Sequence, residues 1–291
     1  MSDAVSRAAG LPCWGGPVHP EPLGGGITNV NFKVEDADRH YVVRIGDDIP
    51  VHQIMRFNEL AASRAAHAAG ISPAVVYAEP GATVLEFVDG QTLEPKDVRS
   101  RPMLERIVDL LICCHREVPH HLRGPVLAFW VFHVVRDYAH TLEEGRSRMA
   151  SGVPDLMAKA ERLQEAVGPV EIVFGHNDML AANLIDDGKR LWLIDWDYAG
   201  LNSPLFDLGG LASNNELSSD DETWLLERYF DRPVSEELHH RYSAMKCASL
   251  LREAMWSMVS ELHSELDFDY RAYTEENMAR FDAAWRRFDA L

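Results

Sequence analysis

Between residues 174 and 200 the chain reads FGHNDMLAANLIDDGKRLWLIDWDYAG, which sets His176, Asp178 and Asn183 in the order H-x-D-x4-N and closes a second apolar run at Asp195. Phosphoryl transfer needs such parts. One carboxylate orients or accepts the proton of an attacking hydroxyl, and an amide oxygen with a second carboxylate holds Mg2+ across the nucleotide phosphates. Asp178 suits the first role, Asn183 and Asp195 the second. Singly, Asp and Asn are also ordinary turn residues, and His176 reads as a brace of its loop rather than a proton carrier. Their order, at the ends of apolar runs where side chains converge, is what points to chemistry.

A second group lies near the N-terminus. The run GGGITNVNF, residues 24–32, joins two strand-like segments. Gly25 and Gly26 allow a backbone to approach phosphates closely and present N–H groups, and Thr28 and Asn29 add side-chain donors. A glycine-rich hairpin turn needs no ligand, however. Arg44 on the next strand has the fork to contact phosphate oxygens, and Glu59 on the following helix is placed to hold it as an ion pair; elsewhere such a pair is a surface salt bridge.

These residues need a scaffold. From Pro20 to Ile45 the pattern is strand, glycine-rich turn, strand, polar turn, strand, with Tyr41, Val43 and Ile45 alternating against Val42 and Arg44. Ile54, Phe57, Leu60 and Ala61 predict a helix over 52–69 ended by Gly70, and PAVVYAEPGATVLEFVDG predicts a hairpin turning at Glu79, Pro80 and Gly81. After Gly90 the periodicity becomes helical. Helix stripes run through Leu104 to Cys114, Leu156 to Val167 and, over Glu236 to Leu266, from Leu238 through Met245 and Met255 to Leu262 and Leu266, while 125–145 reads as an apolar helix with an irregular lead-in. Strands are expected only at 170–174, 183–185 and 191–195, and the acidic NNELSSDDE stretch reads as a loop. The fold class is therefore α+β: a small antiparallel β-sheet unit over 1–90 and a larger, mostly helical unit over 91–291.

The tail supplies a third group. Trp256 lies one position off the long helix's apolar stripe, so it borders the buried face; Tyr270 and Tyr273 follow in a segment with Asp267 and Asp269, and Glu253 stands one turn before Trp256. Aromatic faces beside carboxylates attract an ammonium group, about 0.5–2 kcal/mol per ring. Packing of the helical unit is the other fate open to these rings.

Composition limits the partners. The chain has 291 residues, 46% hydrophobic and 25% charged, with a formal net charge of −18. This is the profile of an ordinary globular enzyme of about two units, and the charge disfavours nucleic acid and anionic membrane surfaces. The four cysteines, Cys13, Cys113, Cys114 and Cys247, form no CxxC or zinc spacing. No basic start with an apolar run and no stretch of about 18 apolar residues appears, so a soluble cytoplasmic protein is expected.

Six segments carry a resemblance: GGITNVNF, YVVRIG, LEFVDG, GHNDMLAANLI, LIDWDYAGLNSPLFDLGGL and DFDYRAYTEENMARFD. From about Leu23 to Phe281 the chain resembles the choline and ethanolamine kinases, within the aminoglycoside phosphotransferase superfamily and its bilobal protein-kinase-like fold. The resemblance implies ATP and Mg2+, with Asp178 as catalytic base, Asn183 and Asp195 on the metal, Arg44 on the phosphates, Glu86 to Val88 as the hinge that pairs with adenine, and Asp207 as anchor of the loop after the metal site. It implies an acceptor that is a small cationic amino alcohol, choline first and ethanolamine second, held among Asp178, Glu253, Trp256, Tyr270 and Tyr273. Trp196-Asp197 stands where Phe-Glu is common, and Glu253 where a second tryptophan is. The alternatives are an aminoglycoside or thiamine kinase, and a catalytically silent nucleotide- or amine-binding protein.

Overall fold

The structure is a computed structural model that describes residues 2–24, 29–264, 266 and 268–291. Strands β1 (Glu21–Leu23), β2 (Val30–Asp36), β3 (Arg39–Ile45), β4 (Val75–Glu79) and β5 (Ala82–Glu86) form an antiparallel sheet in the order β1-β2-β3-β5-β4. The alternation along β3 divides the sheet as expected. Tyr41, Val43 and Ile45 join Phe32, Val34 and Val84 in a core covered by Ala8 and Leu11, while Arg44 faces the other way, toward helix α2 (Arg56–Ala68). Ala8 belongs to helix α1 (Ser2–Ala9), which the sequence pattern did not signal; Trp14 ties it down by donating to Ala8 O at 2.9 Å.

The remaining helices are α3 (Pro95–Val98), α4 (Arg101–Arg116), α5 (Val118–His121), α6 (Val131–Glu144), α7 (Val153–Val167), α8 (Pro204–Asn214), α9 (Ser219–Phe230), α10 (Glu236–His263) and α11 (Tyr270–Phe288). Short strands are inserted between them. β6 (Gln91–Thr92), β8 (Leu184–Asp186) and β9 (Leu191–Leu193) make one sheet, and β7 (Val173–Gly175) pairs with β10 (Gly200–Asn202). The larger apolar core takes in these helices and also Ala62, Ala65 and Ala66 of α2, whose small side chains let that helix lie close to α5. Each large apolar side chain wholly withdrawn from water contributes about 1.5–3 kcal/mol.

The strand expected at 170–174 begins only at Val173, since Ile172 is exposed. The acidic stretch is not all loop: Ser218 caps α9, accepting from Asp221 N, and Asp220, Asp221 and Glu222 occupy the first turn, where carboxylates meet the helix dipole. Helix α10 stops at His263 rather than Leu266, because Ser264 turns extended and donates its hydroxyl to Tyr270 OH at 2.8 Å; Leu262 and Leu266 are exposed. Tyr270 and Tyr273 lie in the first turn of α11, and Asp207 in the first turn of α8. Helix α10 is buried nearly all round between Ala244 and Ser260, and Gly209 of α8 permits this, because a Cβ there would come 2.9 Å from Lys246 Cα.

Candidate active site

The segment after β7 is pinned by one carboxylate. Asp207 Oδ2 accepts from His176 N at 2.9 Å and Oδ1 from Asn177 N at 2.7 Å, while His115 Nε2 donates to Oδ2 at 2.9 Å and is itself held at Nδ1 by Tyr229 OH at 2.7 Å. Burial works against the charge of Asp207, but His115 and the loop amides hold its pKa below the usual value. Asn177 takes a left-handed conformation, φ 65°, and a Cβ on Gly175 would approach its Oδ1 to 2.8 Å, so glycine is required there. His176 is buried, donates through Nε2 to Ile194 O at 2.9 Å and packs edge-on to Trp196; burial lowers its pKa, so it braces the loop as a neutral ring.

Asp178 emerges from this loop half-buried. Asn183, at the end of a single 3-10 turn, donates Nδ2 to Asp178 O at 2.9 Å and to Asp178 Oδ2 at 3.1 Å. That assigns its amide and leaves Oδ1 as the atom for a cation. Ile194 N donates to Asn183 O at 3.0 Å, which sets the next residue, Asp195, beside it in a left-handed conformation, φ 67°, with its side chain about one-third exposed at 32%. Among the described residues there is no cluster of three His, Cys, Asp or Glu fit for a metal. An amide oxygen and a carboxylate nevertheless suit a hard cation that takes its other ligands from phosphates and water. Burial first, then the charges of Asp195 and Glu253, raise the pKa of Asp178 to about 7 against the opposing pull of Arg252 and Asn183.

Arg44 and Glu59 meet at 3.0 Å, both buried. The guanidinium also spans to the segment after β9, with Nη2 2.9 Å from Asp195 Oδ1 and 3.1 Å from Asp197 Oδ1. Arg56, three residues before Glu59, completes the network at 2.6 Å to Glu59 and 2.8 Å to Asp197, and Asn29 Nδ2 donates to Asp197 Oδ2 at 3.2 Å. Sheet, helix α2 and the strand after the loop are thus joined through one cluster. Gly25, Gly26 and Thr28 lie outside the described residues. Glu86 ends β5 with its N–H on Ala74 O and its side chain on Arg39, and Val88 lies half-buried in the connection to β6.

The predicted acceptor residues fall into two groups. Trp256 is only 4% exposed, because α10 is packed on all sides there; it donates Nε1 to Tyr198 OH at 2.8 Å and lies 5.0 Å from the His52 ring. Its ring still lines a cavity of about 320 Å³ with Tyr270, His52, Asn29 and Gly46. Burial and the Arg252 charge push His52 down to about 3, so its ring is neutral there. Tyr273 instead donates to Glu253 Oε1 at 2.8 Å and does not line that cavity. Glu253 shares a smaller cavity, about 20 Å³, with Asp178 and Arg252. The expected grouping of all five residues therefore holds only in part: Trp256, 6.3 Å from the Tyr273 ring, stands between the two halves. Asp269 caps α11 by accepting from Ala272 N, and Asp267 lies outside the described residues.

The sequence reading missed Arg56, Arg252, Tyr198 and His52. Arg56 had a signal in its i,i+3 spacing to Glu59. Arg252, one residue before Glu253, and Tyr198 and His52, distant in sequence, had none.

Residues 21–224 match the family model for choline/ethanolamine kinase. Among curated proteins the chain is similar to protein LicA of Haemophilus influenzae, 26% identical over 92% of this chain and 79% of the relative, and to a probable ethanolamine kinase of Arabidopsis thaliana, 28% identical over 87% and 76%. A solved choline/ethanolamine kinase family protein from Mesorhizobium loti superposes with a TM-score of 0.78 at 28% identity, covering 97% of this chain and 94% of that one. The fold also extends to a spectinomycin phosphotransferase solved with ADP and spectinomycin, TM-score 0.64 at 13% identity over 97% and 98%. The α+β, protein-kinase-like architecture and these matches define a small-molecule kinase. The chain belongs to the choline/ethanolamine kinase family.

Proposed function

We propose that the protein transfers the γ-phosphoryl group of ATP, with Mg2+, to the hydroxyl of a small cationic amino alcohol, choline first and ethanolamine second, in the cytoplasm. The observation that carries this is the junction at Asp195, where Arg44 from the sheet meets the segment after β9 that the Ile194 N to Asn183 O bond ties to the loop presenting Asp178 and Asn183. ATP lies between the 1–90 and 91–291 units, with its adenine at the Glu86 to Val88 backbone and its phosphates against Arg44, which Glu59 and Arg56 hold in place; Gly25, Gly26, Thr28 and Asn29 supply further phosphate donors. Asn183 Oδ1 and Asp195 hold the metal, which when bound offsets phosphate charge. Asp178 orients the acceptor hydroxyl and receives its proton as the oxygen attacks.

The acceptor's ammonium group lies against Trp256 and Tyr270, with Glu253 and Asp178 supplying negative charge. The choline preference draws support from this aromatic wall, because a quaternary ammonium has no N–H to donate. Phosphorus NMR of a reaction with ATP, Mg2+ and choline tests the reading: a phosphomonoester signal should grow as ADP forms and stop on chelation. Turnover unaffected by chelator, or ADP formed without phosphocholine or phosphoethanolamine, would overturn it.

A further inference from the structure

Arg252 is a charged side chain buried to 4% exposure with most of its donors unmatched. Nη1 donates to Glu253 Oε2 at 2.8 Å, and its guanidinium carbon lies 4.2 Å from the Tyr198 ring and 5.4 Å from the Phe129 ring. Nε and Nη2 are buried and meet no acceptor among the described residues. A guanidinium carries five N–H donors in a rigid fork, and leaving charged donors unmatched in a buried site costs more than an exposed one would. The two rings and Glu253 fix the plane of the group, so its open edge is preorganised. Arg252 belongs to the wall of a small cavity of about 20 Å³ that also includes Asp178 and Ser249. A space of this size holds one oxygen-sized group.

We propose that Arg252 is a hydroxyl-binding residue for the acceptor: its Nε and Nη2 donate to the acceptor oxygen that Asp178 deprotonates. The inference rests on the amino-alcohol reading above. A hydroxyl oxygen offers two lone pairs and one proton, which matches donors from Arg252 on one side and a carboxylate on the other. Arg252 thereby selects for a hydroxyl at this point, and its charge is offset by Glu253, so the pocket still accepts a cation next to it. During transfer the acceptor O–H bond breaks toward Asp178, the new O–P bond forms and ADP leaves; the Arg252 donors stay on the oxygen and exchange no proton.

The test compares binding of paired ligands to the full chain by calorimetry, with wild type and with Arg252→Met and Arg252→Lys. Choline is paired with ethyltrimethylammonium, and ethanolamine with ethylamine, each pair differing only in the hydroxyl. Arg252→Met should weaken binding of the alcohols by about tenfold to a hundredfold, the loss typical of a charge-assisted hydrogen bond, and leave the deoxy analogues within about twofold. Arg252→Lys should recover part of the loss. Because removal of a buried charge also unburdens or disturbs packing, each variant's melting temperature is measured alongside, and millimolar guanidinium should partly rescue turnover of Arg252→Ala. Equal weakening of alcohol and deoxy analogue, or no change in either, would overturn the assignment. Wild type that turns over no amino alcohol would instead defeat the reading on which it rests.

Discussion

Asp207 and Asn177 are joined by a 2.7 Å bond from a backbone amide to a buried carboxylate, across the gap between α8 and the loop that carries Asp178. The same carboxylate holds the amide of His176, so the position of Asp178 depends on a residue 29 positions further along the chain. Asp207→Ala should destabilise the fold by about 3–5 kcal/mol, since it leaves two amides and His115 without their shared acceptor. The pKa of Asp207 is depressed on folding, so its contribution is present above the unfolded value near 4 and is lost as pH falls through the folded one. Urea titrations should therefore show the gap between wild type and Asp207→Asn closing as pH falls below about 4. A gap independent of pH would mean the charge does not matter.

Arg44 and Glu59 should act as one unit on the nucleotide. Either alanine substitution should raise KM for ATP by about tenfold or more, and the double variant should fall well short of the sum. Arg44→Lys should also be impaired, since one ammonium cannot reach Glu59, Asp195 and Asp197 as the fork does. Arg56→Ala should resemble Glu59→Ala, because it frees the far side of the same carboxylate. Additive effects in ATP kinetics would separate the pair.

Asp178 and Asp195 should fail differently. Asp178→Ala should cost turnover by about two orders of magnitude or more while ATP affinity, read by calorimetry, stays within about twofold. Asp195→Ala should remove Mg2+-dependent nucleotide binding as well. Near wild-type kcat in Asp178→Ala would remove the loop from catalysis.

Trp256 is buried enough that truncation to alanine endangers folding, at about 3–5 kcal/mol. Trp256→Phe keeps a ring but loses the bond to Tyr198. It should raise KM for choline by about tenfold and leave KM for ATP within about twofold. Equal damage to both would make Trp256 a packing residue only.

The periodicities carried the sheet, its turns and the main helices, because strands alternating in and out and helices with one apolar face leave regular marks, as along β3. They failed where burial is not one-sided. Helix α10 is enclosed on all sides near Trp256, so the stripe that placed this ring at an edge was narrower than the buried surface. The H-x-D-x4-N order located the loop at once, since its parts are close in sequence. Arg252 with Tyr198, and His52 with Trp256, are contacts between residues far apart, and no spacing encodes them. The Glu253–Tyr273 bond likewise came only from the packing of α11 on α10, which drew these two groups to each other.

The most direct test of the account is kcat/KM measured with ATP and Mg2+ over choline, ethanolamine, thiamine and an aminoglycoside under one set of conditions. Choline should be highest, ethanolamine within about tenfold, and the other two lower by about a hundredfold or more. A preference for thiamine or the aminoglycoside, or ADP release that no acceptor increases, would contradict it.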